Sequence, residues 1–383
     1  TYGAESRFQQ NSMLANNQEH RLQWGVRYER HFLNDMRSAG EAGQILTESR
    51  RGARTRDDAY QAAAVSAFFQ DEIRLENWTV IPGVRAEHYT QNKVRRALPL
   101  NPGPHDPIAK DDNTLLLPSL SLLYEGSDNT QVFANIARGY TPAFARTADS
   151  FPLDPETGVN TQIGIRSTLS TGFSLEGALF FNDIEDTIVQ LPYTVNGINV
   201  VLNSADSESW GLDLGLRYDS AALLEAPFNF FTELAYNYTR AEFSEDHLQS
   251  GIKGNRVPEI PLHAATLTFG LEHNAGLHLS ATISHFGDFY TDPLNTSVLT
   301  LADEDREPVE PGDSLEIREP AVLGRVPSHT LVSARLSYAI PDTDITVWLQ
   351  GRNLTDRLFI TDLENGIRPG AERTVVGGVR FTF

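Results

Sequence analysis

The residues of this 383-residue chain best suited to chemistry are arginines gathered in two segments. Segment 33–57 carries Arg37, Arg50, Arg51, Arg54 and Arg56 against Asp35, Glu41, Glu48 and Asp57. Segment 93–113 carries Lys93, Arg95, Arg96 and Lys110 against Asp106, Asp111 and Asp112. A guanidinium fork holds a carboxylate through two parallel hydrogen bonds, so such a cluster is suited to binding an anion. It is unexpected in a chain of formal net charge −20. The opposite reading, that these are solvated loop charges, has equal standing at this point. Segment 293–326 is acidic instead, with Asp303, Glu304, Asp305, Glu307, Glu310, Asp313, Glu316 and Glu319.

Other chemistry is poorly represented. No HExxH, P-loop or nucleophile elbow is present, and no motif calls for a cofactor. His88, His105, His247, His263, His273, His278 and His285 are scattered rather than spaced as metal ligands. Cysteine is absent, which removes thiolate sites and disulfides. The net negative charge argues against nucleic acid as a partner, because phosphate binding needs concentrated positive charge.

The elements that carry the two segments are strands. Trp210, Leu212, Leu214, Leu216 and Tyr218 alternate with Gly211, Asp213, Gly215, Arg217 and Asp219, and similar alternation recurs along the chain. Fifteen strands are expected, at 1–9, 19–32, 58–75, 78–92, 114–125, 129–140, 157–169, 172–190, 200–219, 227–243, 257–273, 276–292, 327–340, 343–360 and 371–383. Connections alternate between tight turns such as Glu76-Asn77 and Asn274-Ala275 and long loops at 33–57, 93–113, 141–156, 191–199, 244–256, 293–326 and 361–370. Links 10–18 and 220–226 are longer than this rule favours.

Short turns on one rim and long loops on the other describe a transmembrane antiparallel β-barrel of the bacterial outer membrane, an all-β fold. Charged residues such as Glu176, Asp213 and Arg217 on the second face ask for a wet lumen. Mean hydropathy is −0.32, and no apolar run approaches the roughly 20 residues of a spanning helix. The last strand alternates Val375, Val379, Phe381 and Phe383 against Thr374, Arg380 and Thr382, a terminal strand suited to closing a sheet in lipid. Tyr89, Tyr140, Phe144, Tyr236, Tyr238, Phe286, Phe289, Tyr290 and Phe359 fall near strand ends, as either an interfacial girdle or ordinary strand aromatics. The chain starts inside a strand, without a signal peptide, so Thr1 is expected not to be the natural start. All of 1–383 then reads as the carboxy-terminal part of a barrel. Seven further strands upstream would make an even total of twenty-two.

Four segments resemble a known family, the TonB-dependent outer-membrane receptors. They are Phe69-Gln70-Asp71-Glu72-Ile73 followed by Trp78 to Arg85, Asn135 to Pro142, Pro155-Glu156 leading to Gly164-Ile165-Arg166, and Gly351 to Asp356. The chain departs from the family pattern with Gln162 where a glutamate is usual and Thr355 where an aromatic is usual. Within the family, Asn77 to His88 and the stretch from Phe359 to Phe383 are most similar to ferric dicitrate transporters. The resemblance implies energised import of a ferric chelate, with a plug domain and a segment contacting the TonB complex lying upstream of this chain. It also implies that Arg54 or Arg56 matches a ligand arginine, Gln190 a ligand glutamine and Asn365 a ligand asparagine. Arg95 and Arg96 join them as candidate anion ligands on charge alone. Outer-membrane lipid and lipopolysaccharide, whose phosphates could equally pair with these arginines, are the other expected partners. A passive porin and an outer-membrane enzyme barrel are the rival readings.

Overall fold

The computed structural model describes residues 1–14, 18–38, 54–95, 107–143, 153–195, 198–247, 251–297, 300–301, 315–317, 322–363 and 367–382. The first strands are β1 (Tyr2–Leu14), β2 (Gln18–Ser38), β3 (Arg54–Leu75), β4 (Trp78–Arg95), β5 (Pro107–Ser127) and β6 (Thr130–Thr141). Next come β7 (Glu156–Thr168), β8 (Phe173–Val195), β9 (Ile198–Asp219), β10 (Phe228–Phe243), β11 (His263–His273) and β12 (Leu277–Phe286). Short pieces follow at β13 (Phe289–Tyr290), β14 (Thr300–Leu301), β15 (Leu315–Ile317), β16 (Val322–Leu323) and β17 (Arg325–Val326). The chain ends with β18 (His329–Ala339), β19 (Ile345–Arg352), β20 (Ile360–Asp362), β21 (Arg368–Pro369) and β22 (Thr374–Phe381).

Sixteen of these form one antiparallel sheet, a meander from β1 through β12 to β18, β19 and β22 with β15 added to the tip of β8, while β13 with β17, β14 with β16 and β20 with β21 form separate pairs. The fifteen expected strands are the fifteen of the meander. Their bounds shift for local reasons. Link 10–18 is mostly strand, because the polar residues around Asn11 and Ser12 continue the pairing of β1 with β2 down to Leu14 and Gln18. Segment 191–199 is likewise a hairpin, with Val195 opposite Ile198. The strand expected from 257 begins only at His263, since Pro258 and Pro261 lack the amide hydrogens a ladder needs. The strand expected to reach 360 stops at Arg352. There Asn353, with φ +48°, donates to the carbonyls of Arg357 and Ala371 and accepts from the Arg357 amide. The long link after β9 is a capped 3-10 turn at Ser220–Ala222, with the Asp219 carboxylate accepting from the Ala221 amide.

The two faces differ as their composition demands. Trp210 and Leu216 on β9, with Phe181, Phe230, Phe269, Leu279, Leu349, Val379 and Phe381 on other strands, are exposed on the outward face. The inward face carries cross-strand polar pairs: Arg21 with Glu72 at 3.1 Å, Arg166 with Glu176 at 2.5 Å, Asn237 with Asp213 at 2.6 Å, and Arg217 with Glu233. Among the described residues, clusters of buried apolar side chains occur only at the long-loop rim. They are Val189, Ala205, Phe243 and Ile252; Ala143, Leu153 and Val201; and Val326 with Leu363. An ordinary soluble domain centres such clusters between its layers, and a barrel wall in lipid does not.

Five inward aromatic rings lie directly across from glycines: Phe68 from Gly25, Phe133 from Gly164, Phe180 from Gly211, Phe231 from Gly270 and Trp348 from Gly378. A Cβ at any of these glycines would run into the ring. The ring covers backbone that a glycine leaves bare, and guanidinium groups of Arg166, Arg217 and Arg335 sit 4.9 to 5.6 Å over three of the rings. The girdle reading fares unevenly. Tyr238 stacks edge-on with outward Trp210, but Tyr89 is buried and stacks on Tyr140. Phe286 and Phe359 sandwich His329, and Phe144 lies outside the described residues. At the short-turn rim, Trp78 with Tyr124 and Phe173 with Tyr218 form aromatic pairs that the expected set lacked.

Candidate functional site

Strand pairing joins the two arginine segments. β3 begins at Arg54 and β4 ends at Arg95, and the antiparallel register sets Asp58 opposite Arg95 and Tyr60 opposite Lys93. On the other side Arg56 is opposite Arg37 and Arg54 opposite Ser38. Arg54, Arg56 and Asp58 occupy alternate positions of β3, so residues that are separate in sequence gather at three adjacent strand ends on the long-loop rim. The described part of Arg54, Arg56, Arg95 and Gln190 is their backbone position. Gln190 lies on β8 opposite Val201, five strands along the sheet from β3. Arg96 and Asn365 lie outside the described residues.

Lys93, which the sequence counts as a loop charge, is instead fully buried. Its Nζ is 3.7 Å from Asp58 Oδ2, itself fully buried, and 5.6 Å from the centre of the Tyr60 ring. Taking two charges out of water is costly, so this pair is tolerated only in a register that joins them. It fixes the ends of β3 and β4 against each other at the level of the arginines. Below it, Tyr89 and Tyr140 stack with centroids 5.6 Å apart. The Tyr140 hydroxyl donates to Glu87, Arg85 Nε donates to Glu87 at 2.7 Å, and Gln91 donates to the Ala143 carbonyl. This network ties β4 to β6 beneath the rim.

Other cations on this rim hold loops together. Asp288 accepts from Arg325 at 2.7 Å and Arg256 at 3.2 Å, joining the β10–β11 loop to both ends of the β12–β18 connection. The hydrogen bond from Arg325 holds its carboxyl below the usual carboxylate range. Asp292 is buried; burial pushes its carboxyl up although Leu294 and Thr296 donate to it. His247 donates to Asp206 at 3.0 Å, and that bond raises the imidazole above its ordinary value. Arg325, one of three arginines in the acidic segment with Arg306 and Arg318, gave no sign in the sequence of this bridging role. Among the described residues no group of three or more histidines and carboxylates is arranged to hold a metal ion.

Strand pairing brings the backbone positions of Arg54, Arg56 and Arg95 to one end of the sheet, and known proteins share the fold of that sheet. Residues 1–354 match the family model described as TonB dependent receptor-like, beta-barrel. The metal-pseudopaline receptor CntO of Pseudomonas aeruginosa is 23% identical over 286 residues, which are 70% of this chain and 39% of that relative. The ferric citrate transporter FecA in its unliganded form superposes with TM-score 0.74 at 22% identity, covering 97% of this chain and 53% of the other. The ferric yersiniabactin uptake receptor FyuA of Yersinia pestis superposes with TM-score 0.70 at 18% identity, covering 100% and 54%. At these identities the likeness to the solved structures is one of fold, and the chain spans about half their length or less of the curated relative.

Proposed function

This chain belongs to the TonB-dependent receptor β-barrel family of the outer membrane, and from that premise we propose that it is the wall of a receptor importing a ferric chelate of citrate-like chemistry. The plug domain and the contact with the TonB complex belong to other parts of that receptor. The chelate presents carboxylates and net negative charge, and the rim that would meet it from outside gathers Arg54, Arg56 and Arg95 on adjacent strand ends. That convergence is the observation that supports the reading. The relatives' names support the broader class: one is a metal-pseudopaline receptor, another a ferric citrate transporter. Gln190 and Asn365 are proposed as further ligands at the same mouth, and lipopolysaccharide as the neighbour of the outward face.

The test is the double variant Arg54→Ala with Arg56→Ala in the intact receptor. Loss of a charge-assisted hydrogen bond is worth about 1.5 to 3 kcal/mol, so ferric citrate affinity should fall about tenfold or more. Association should also slow as salt rises in wild type and respond less in the variant. Equal affinity at both low and high salt would return these arginines to solvated loop charges.

A further inference from the structure

The outward face carries a cation at the height where lipid chains give way to headgroups. Along β2 the outward positions run Leu22, Trp24, Val26, Tyr28, Arg30 and Phe32, and Arg30 is the one charge in this run. Val26, Tyr28 and Phe32 are exposed, and Arg30 is half-buried. β2, β3 and β4 each have both neighbours in the sheet. This surface is therefore not the edge of the sheet, and it faces away from the lumen and whatever fills it. Its height follows from the aromatic pair Trp78–Tyr124 at the short-turn rim. Register carries Arg30 through Ala63 to Thr90, about 40 Å along β4 from Trp78 at about 3.3 Å per residue. A strand tilt of about 40° makes that roughly 30 Å of height, just above an apolar band about 25 Å tall.

The surroundings of Arg30 suit a phosphorylated sugar. Its guanidinium lies 4.9 Å over the Phe32 ring, a contact that uses its face and leaves its in-plane N–H donors open. Among the described residues no carboxylate pairs with it. On the same face, β3 and β4 place Gln61, Thr90 and Asn92 around it in the adjoining positions. These side chains can donate to and accept from sugar hydroxyls. Asp112, three strands from Arg30 in the same row, is held 3.7 Å from His88 Nδ1. The outward face of β8 to β10 is the opposite case. There Asp183, Glu208 and Glu242 form one cross-strand row, roughly 25 Å above Tyr218 by the same reckoning. The arginine beside them, Arg240, donates to Glu242 at 2.9 Å. Two sectors at similar height thus differ in sign: a phosphate is attracted at Arg30 and repelled at the carboxylate row.

We propose that Arg30, with Gln61, Thr90 and Asn92, forms a subsite for the phosphorylated sugar of an outer-leaflet glycolipid, so that lipopolysaccharide docks on the sector β2 to β4 and not on β8 to β10. This rests on the reading above of lipopolysaccharide as the neighbour of the outward face, and gives that neighbour a place. Charge complementarity selects the occupant. The chain carries a net charge of −20, yet it leaves an unpaired guanidinium in the plane where lipid phosphates lie. A guanidinium fork holds a phosphate through two parallel hydrogen bonds, whereas an ammonium offers only a point charge.

The experiment uses the intact receptor purified in a neutral detergent. The probes are diphosphoryl lipid A, dephosphorylated lipid A and phosphatidylglycerol, and native mass spectrometry counts the lipid bound. Wild type should bind diphosphoryl lipid A about fivefold or more over either other probe, since a charge-assisted bond to phosphate is among the stronger polar contacts. Arg30→Gln should bring the two forms of lipid A within about twofold of each other. Arg30→Lys should keep part of the preference, and Arg240→Gln, whose cation is already held by Glu242, should keep all of it. Gln61→Ala with Asn92→Ala leaves the charge in place and should lower binding of both forms together. Heat-modifiable mobility of each variant confirms that the barrel has assembled. A preference that survives Arg30→Gln overturns the subsite, and so does an equal loss in Arg240→Gln, which would be an effect of net charge alone. Wild type binding phosphatidylglycerol as well as diphosphoryl lipid A overturns the glycolipid as occupant. In each of these cases lipid A still binds, so lipopolysaccharide stands as a neighbour and only its assigned place is lost. Wild type that binds no lipid A at all overturns both.

Discussion

Lys93 Nζ and Asp58 Oδ2 meet 3.7 Å apart at the top of the β3–β4 pair, with neither side chain reaching water. Their strands carry Arg54, Arg56 and Arg95 at the same end, so a buried charge pair acts as the hinge pin of the proposed ligand rim. Removing one partner leaves the other charged and desolvated. Lys93→Met or Asp58→Leu alone should cost roughly 3–5 kcal/mol, whereas the double replacement should be close to neutral. Thermal unfolding of the three variants in detergent checks this. Similar losses for single and double variants would mean that the pair does not act as a unit.

Phe231 lying across Gly270 gives a packing test on the inward wall. Gly270→Val forces the ring off the backbone it covers and should destabilise by about 1–3 kcal/mol. Adding Phe231→Ala to Gly270→Val should recover part of that loss, since the added methyls then have room. Urea unfolding midpoints of the barrel decide the matter, and a double variant worse than both singles contradicts it.

Asp288 gives the loops an acid-sensitive joint. Its carboxyl is held below the reference value of 3.8, chiefly by its hydrogen bond with Arg325. A depressed folded value means that the joint contributes above the unfolded value and is lost as pH falls through the folded one. Asp292 acts in the other sense: burial raises its carboxyl, so protonation there does not loosen the loop. Spin-label distances between 251–262 and 322–328 should lengthen on acidification below 3.8. In Asp288→Asn they should already be long at neutral pH. A wild-type distance that ignores pH across this range rules the joint out.

Phe381 is exposed on the outward face of β22, the strand that pairs with β19 at the end of the sheet. Phe381→Arg places a charge where lipid is expected and should reduce assembled protein in the outer membrane severalfold, by a desolvation cost of order 2–4 kcal/mol for an arginine at mid-membrane depth and less near its edge. Phe381→Leu should assemble normally. Phe383 lies outside the described residues, and Phe383→Ser is expected to act in the same direction. Heat-modifiable mobility of membrane fractions reports the yield.

The strand count, the two faces and, apart from the expected long loop 191–199 that is a tight hairpin, the contrast between tight and long connections were legible in the sequence, because each is a local property. Period-two alternation in Trp210 to Asp219 fixes which residues share a face whatever their neighbours are. The rim arginines were also visible, but only as members of two separate loops. Tertiary structure decided what depends on register between strands. It set Arg95 opposite Asp58, buried Lys93 rather than leaving it in a loop, and laid Phe231 over Gly270. It brought residues 256, 288 and 325 into one bridge, and it turned Tyr89 and Tyr140 into a buried stack. None of these is encoded by spacing along the chain. Each joins positions whose distance is set by how far one strand slides past the next. That slide is chosen by the sum of side-chain fits along the whole ladder rather than by any short segment.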